Sequence, residues 1–359
     1  MSLALVRPTS ARHSRPIRLM IVDDSTVARA VLSRMVESDS AFELSAVAGT
    51  AEDALDALEH VEVDVILLDL EMPGEGGLKM LPRILQAARG ARVIVVSSLA
   101  EEGAKASVAA LALGAADTLP KPGIGRFNGR FSEVLLAKLR ALGAAQVAAP
   151  NSGRNVGPLR AMGSEPMQCL AIGASTGGIH ALGQMFAAMP EPLGVPMLVT
   201  QHLPAPFMEV FARQLSTAAR RRALIAQDGM PLQRDIILIA PGDAHLTVES
   251  RNGRPAVRLE RGQVGSGCLP SVDPMLSSVA DFYGPTGVGV ILSGMGRDGT
   301  EGAGRLVRAG GSVIAQDESS CAVWGMPKSV TDAGLACAVL SPEKIARRVA
   351  SRAGDESCR

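Results

Sequence analysis

From Ile17 onward, short apolar runs are each followed by a segment whose apolar residues recur at helical spacing. "IRLMIV" predicts a strand, and "STVARAVLSRMVES" after it places Val27, Val31, Leu32 and Met35 on one helical face. The same alternation continues through "FELSAVAG" and "AEDALDALEH", "VDVILLDL" and "GLKMLPRILQAAR", "RVIVVSS" and "GAKASVAALALGA", then "DTLP" and "FSEVLLAKLRALG". Five strand–helix units of this kind predict a parallel, doubly wound sheet. The period then fails in "AAQVAAPNSGRNVGPLRAMGSEP", a stretch rich in Ala, Gly, Pro, Ser and Asn that reads as a linker. It resumes in "QCLAIGA", "VPMLVTQ", "DIILIA", "GVGVILSG", "GSVIAQ" and "ACAVL". The expected organisation is an extension at 1–16, a domain at 17–143, a linker at 144–166 and a second domain at 167–359. The fold class is α/β, with two doubly wound domains and no internal repeat between them.

Composition narrows the function classes. The chain has 359 residues, long enough for two domains, and its 47% hydrophobic and 20% charged content argues against general disorder. Lys plus Arg equals Asp plus Glu at 36 each, so no basic excess is available to neutralise nucleic-acid phosphates. The five cysteines (Cys169, Cys268, Cys321, Cys337 and Cys358) form no C-x-x-C pair, which disfavours structural zinc and a disulfide framework and fits a reducing cytoplasm. The basic N-terminus lacks the apolar core of a signal peptide, and no run approaches the length of a membrane span. A cytoplasmic chain with no direct membrane insertion is expected.

Chemistry-bearing residues in the first domain fall at strand ends. Asp23 and Asp24 end the first apolar run, Asp69 the third, Ser97 and Ser98 the fourth, and Lys121 the fifth. Ligands of open parallel sheets bind outside the carboxyl ends of strands, so these residues should converge. Any one acid is more often a solvated cap, but three converging carboxylates call for a hard cation, and Mg²⁺ suits oxygen ligands. Lys121 then offers a charge to an anion and Ser97 a hydroxyl. An anion beside metal-bound Asp69 implies phosphoryl transfer to that carboxylate.

The second domain opens on "LAIGASTGGIH". Gly173 to Gly177 reads G-x-S-x-G, a pattern that lifts a nucleophilic serine from a strained turn. A phosphate loop is the weaker alternative, because no Gly-Lys-Ser/Thr is present, and a simple helix N-cap remains open. A nucleophilic serine needs a base and an orienting acid. Of five histidines, His13 lies near the N-terminus, His60 at a helix end and His180 on the helix after Ser175. His245 follows a strand and could line a pocket or be a satisfied loop residue. His202 is best placed, at the end of "PMLVTQ". Asp298, in "VILSGMGRDGTEG", is the acid candidate, although it could equally cap the helix that follows. The order Ser175, His202, Asp298 differs from the Ser, Asp/Glu, His of α/β-hydrolases.

Two resemblances carry the reading further. "IVDDS", "LLDLEMPGEGGL", "VIVVSS" and "LALGAADTLPKP" resemble the receiver domain of two-component response regulators. That resemblance implies phosphorylation on Asp69, Mg²⁺ on Asp23, Asp24 and Asp69, and switch roles for Ser97 and Lys121. "AIGASTGG", "QHLPAPFMEVFARQL", "IAPGDAHL", "SVDPMLSSVA", "ILSGMGRDGTEG" and "AQDESSCAVWGMPKSV" resemble the catalytic domain of chemotaxis protein-glutamate methylesterases. It implies Ser175 as nucleophile, His202 as general base and acid, and Asp298 as orienting acid. Met295 would give an oxyanion-hole N–H, and Thr176 would line the site. The expected substrate is the methylated cytoplasmic domain of a chemoreceptor, the phosphodonor a chemotaxis histidine kinase, and a second activity the deamidation of receptor glutamines. The esterase step needs no cofactor. Trp324, where phenylalanine is more usual, and Pro274 after Asp273 depart from the family pattern without touching the triad. The contrasting expectation is a non-enzymatic regulator whose second domain only binds a partner.

Overall fold

The computed structural model describes residues 15–97, 101–121, 129–147 and 159–353. His13, Ser98 and Cys358, the extension before residue 15 and linker positions 148–158 lie outside the described residues.

The first sheet has five parallel strands, β1 (Ile17–Val22), β2 (Phe42–Ala48), β3 (Val65–Asp69), β4 (Arg92–Ser97) and β5 (Asp117–Pro120), in the order β2-β1-β3-β4-β5. Its apolar residues alternate between faces as a strand period of two requires. Leu19, Ile21, Leu67 and Val96 pack on one side against α1 (Thr26–Glu37) and α5 (Gly129–Val147). Met20, Ile66, Leu68 and Val95 pack on the other against α2 (Ala51–His60), α3 (Gly77–Ala87) and α4 (Glu101–Leu113). Ser25 and Thr50 cap α1 and α2, accepting from Ala28 N and Asp53 N. Val27, expected on the core face of α1, is 68% exposed. It sits in the first turn, beyond the end of β1, and the helix buries Leu32 and Val36. α5 continues to Val147, four residues past the boundary read from composition at 143.

The second sheet has seven strands, all paired in parallel, in the order β14-β13-β12-β6-β7-β9-β8. They are β6 (Cys169–Ala174), β7 (Met197–Gln201), β8 (Ala223–Ile225), β9 (Ile237–Ile239), β12 (Gly287–Ile291), β13 (Ser312–Gln316) and β14 (Ala338–Leu340). β6, β7 and β12 are buried throughout, because helices cover both faces. The chain leaves β6 for β7 on one side and returns to β12 on the other, which makes the carboxyl end of β6 a topological switch point.

Two features were not anticipated: the three-residue edge strand β8 and a hairpin. β10 (His245–Arg251) and β11 (Arg254–Glu260) form an antiparallel hairpin apart from the main sheet. Its turn is Asn252-Gly253, both with positive φ (55° and 74°), a dipeptide that marks two-residue hairpins.

The domains are in contact. α4 packs on α6 (Gly178–Ala187) and α7 (Ala205–Ala219). Gly177 N donates to Ala116 O at 2.7 Å, His180 Nδ1 meets Ala112 O at 3.0 Å, and Arg92 donates to Cys321 O at 2.8 Å. Among the described residues no helix is long and apolar enough to cross a membrane.

Candidate active site

Strand register brings Ser175 and His202 together. Ala174 of β6 pairs with Gln201 of β7, so the next residue on each strand leaves the sheet side by side. Adjacent strands lie about 4.8 Å apart. His202 N donates to Ala174 O and Ser175 N to Ser293 O, both at 3.0 Å, which fixes the two backbones. The small residues make room. Gly177 has φ +77° and is the N-cap of α6, so Ser175 is not that helix's cap. A Cβ on Gly294 would fall 2.8 Å from the Ser175 Cβ.

Asp298 reaches the pair from the loop after β12. Its Oδ2 lies 2.7 Å from His202 Nε2 and accepts from Val272 N at 2.7 Å, while its Oδ1 accepts from Ser271 Oγ at 2.6 Å. Asp298 does not cap α9 (Thr300–Arg308); Gly299 holds that position with no side-chain bond. Burial alone would raise the Asp298 carboxyl, but the bonds from His202 and Ser271 overrule it and hold the group well below the ordinary carboxylate range. An ionised acid accepting at Nε2 requires the proton there, leaving the Nδ1 lone pair free. Nδ1 is therefore the nitrogen that can take a proton from Ser175, the reverse of the trypsin-type assignment. Among the described residues neither Ser175 Oγ nor His202 Nδ1 has a hydrogen-bond partner, so that contact must tighten when substrate enters.

Met295 is 39% exposed beside this centre, and its N–H donates to no described group. Thr176 is buried, and its hydroxyl donates to Asp117 Oδ2 of the first domain at 2.6 Å. Lys138 of α5 also bonds that oxygen. A cavity of about 370 Å³ separates His202, Pro204 and Phe207 from Asp117, Val134 and Lys138. Two larger clefts, about 540 and 870 Å³, contain none of the triad, so the chemistry rather than the volume identifies the site. The remaining described histidines serve other ends. His60 is exposed at the end of α2, His180 faces the first domain, and His245 is buried with both ring nitrogens bonded. Asp117 and Ser271 were not singled out from sequence.

The first domain gathers its own site at the β1/β3 switch point. Asp23, Asp24 and Asp69 bring carboxylate oxygens within 4.8 Å of one another. Asp69 is fully buried and bonded by Lys121 Nζ at 2.6 Å, with Asp23 3.8 Å from the same ammonium. Burial pushes the Asp23 carboxyl up, aided by the Asp69 charge. A hard divalent cation on this all-oxygen set would relieve that strain, so the residues fit Mg²⁺. Ser97, also buried, is hydrogen-bonded to Ser107 of α4.

Residues 170–349 match the CheB methylesterase family, and residues 19–126 match the response regulator receiver domain family. Protein-glutamate methylesterase/protein-glutamine glutaminase 2 of Caulobacter vibrioides is 40% identical, over 94% of this chain and 99% of that protein. The similarly named protein of Azospirillum brasilense is 38% identical, over 96% of each. The crystal structure of the Thermotoga maritima CheB methylesterase catalytic domain is 36% identical, with a TM-score of 0.50, covering 52% of this chain and 98% of that one.

Proposed function

The chain belongs to the CheB methylesterase family, joined to an amino-terminal response-regulator receiver domain, and from that premise we propose how its residues carry out and control ester hydrolysis. It is a carboxylic ester hydrolase, a protein-glutamate methylesterase whose substrate is the glutamyl methyl ester of a chemoreceptor's cytoplasmic domain. Ser175 Oγ attacks the ester carbonyl carbon while His202 Nδ1 takes its proton. Asp298 stabilises the imidazolium, and the Met295 N–H donates to the oxyanion. Collapse expels methanol, which leaves with the proton from His202. Water, deprotonated in turn by His202, releases Ser175 and a free glutamate. The same chemistry on a glutamine carboxamide would release ammonia, the second activity in the relatives' names.

The observation that carries this reading is the His202–Asp298 bond at 2.7 Å, on the strand next to that of Ser175. Asp69 is the phospho-acceptor, supplied by a chemotaxis histidine kinase in the cytoplasm. Asp23, Asp24 and Asp69 would hold Mg²⁺, whose charge offsets that of the incoming phosphoryl group. Lys121 pairs with that group, and Ser97 supplies the switch hydroxyl. Without phosphorylation the β5–α5 face of the receiver covers the cavity at His202, and Thr176 is gripped by Asp117. The test is methanol release from methylated receptor membranes, with and without a small phosphodonor. Release stimulated by the donor is expected; no release in either condition overturns the reading.

A further inference from the structure

The catalytic acid is anchored by more than its histidine. α8 (Val272–Tyr283) points its amino end at Asp298, where the unpaired N–H groups of a helix favour an anion. Ser271, the N-cap of α8, donates its hydroxyl to Asp298 Oδ1 at 2.6 Å. Ser271 follows Pro270, and its own N–H donates to His245 Nδ1 at 3.0 Å. His245 Nε2 in turn lies 2.8 Å from Gly262 O. A carbonyl can only accept, so Nε2 carries the proton and Nδ1 presents a lone pair to Ser271. Ser271 and His245 are 0% and 1% exposed, and the bonds from Ser271 to His245 and to Asp298 are buried, so water does not readily replace a partner in either.

We infer that Ser271 is a positioning residue for Asp298, and that His245, through the Ser271 N–H, holds Ser271 in place. Oδ2 serves His202 and Val272 N together, so it alone cannot stop the carboxylate rotating about Cβ–Cγ. Ser271 pins the other oxygen, which holds the carboxylate, and with it the His202 ring bonded through Nε2, in one orientation. Its hydroxyl also draws charge from the carboxylate that faces His202. Cys268 and Asp273 are the other ionisable groups against Asp298, while Asp117 and Lys138 face His202 across the cavity.

This role rests on the esterase reading, and methanol release by the full-length wild type under the same conditions separates the two. If the wild type is inactive, the esterase reading fails; the positioning role is judged on the variants of an active enzyme. Ser271→Ala should lower kcat about 10- to 100-fold, the worth of one hydrogen bond to a charged group, with KM within about twofold. The acid limb of its pH–rate profile should move to higher pH, because Asp298 without the hydroxyl stabilises the imidazolium more. Ser271→Thr should restore most of the rate and the limb. At position 245, Asn keeps an acceptor at the Nδ1 position and Gln a donor at the Nε2 position. His245→Asn should therefore retain more activity than His245→Gln. A Ser271→Ala rate near wild type, a loss of rate with an unmoved limb, or no rescue by Thr would each overturn the role for Ser271. Equal or reversed losses at position 245 would overturn the role for His245.

Discussion

Removing the Asp117 carboxylate should switch the enzyme on without phosphorylation. Thr176 Oγ1 donates to Asp117 Oδ2 at 2.6 Å, and the two residues are 7% and 9% exposed, so the bond is charge-assisted and nearly dry. Such a bond has a net worth of about 1.5–3 kcal/mol. The Lys138–Asp117 pair lies wholly within the first domain, so its loss weighs equally on docked and undocked forms and cancels. Of the bonds the Asp117 side chain makes, the one to Thr176 distinguishes the two forms. At about 1.4 kcal/mol per tenfold, Asp117→Ala shifts the docking equilibrium by about 10- to 150-fold toward the open form. Activity without a phosphodonor should rise about tenfold or to the phosphorylated level, whichever is lower, while phosphorylated activity barely changes. Asp117→Asn keeps an acceptor for Thr176 and should fall between. The assay is methanol release from receptor membranes, with thermal unfolding run alongside. A natively folded Asp117→Ala protein with the unphosphorylated rate of wild type would refute the latch.

Ser175→Ala should reduce methanol release on the order of a million-fold, and a variant within about a hundredfold of wild type would move the nucleophile elsewhere. Asp69→Asn should abolish labelling by a small phosphodonor in intact-mass measurements, and EDTA should do the same in wild type by removing Mg²⁺; undiminished labelling of the variant would place the phosphate on another residue. Asp64 is held at about 2: burial would raise it, but hydrogen bonds from Arg15 and Arg18 lower it further. A carboxylate depressed in the folded state stabilises it above its unfolded value near 4 and loses that contribution as pH falls toward 2. The gap in Tm between wild type and Asp64→Asn should therefore be widest at neutral pH and close between about pH 4 and 2; a constant gap would contradict the assignment.

All strands of the two main sheets except β8 were legible, the central ones because burial on two faces turns them into continuous apolar runs, as in "VILLD" and "GVGVI". The convergence of Ser175, His202 and Asp298 was legible because parallel topology delivers the strands' carboxyl ends to one edge. The hairpin was not, since "HLTVESR" and "RPAVRLE" mix charge with apolar residues and read as loop, although Asn252-Gly253 carried the turn signal. Asp117 looked like any acid at a strand start, because its partner Thr176 is 59 positions away on another domain. Ser271 escaped for the same reason, and the partner of His245, left open between pocket and loop, could not be read. Their bonds span 27 and 26 positions and leave no local period to read.

β5 is the one element common to both sites, and its length explains how a change at one could reach the other. Asp117 opens the strand and Lys121 follows its end, about 13 Å away at 3.3 Å per residue. Lys121 pairs with Asp69 at one end, and Asp117 accepts from Thr176, next to Ser175, at the other. β5 is also an edge strand of the first sheet, paired only with β4, so a shift costs it fewer ladder bonds than a central strand. Lys121 N donates to Ser97 O at 2.7 Å, which ties the lysine's backbone to the switch serine as well. A phosphoryl group on Asp69 would compete for the Lys121 ammonium now pairing Asp69 and Asp23, and so pull on the same short strand. The hydrogen bond from Thr176 is an interdomain contact that this strand carries on its own first residue, so a displacement of the strand would lengthen it.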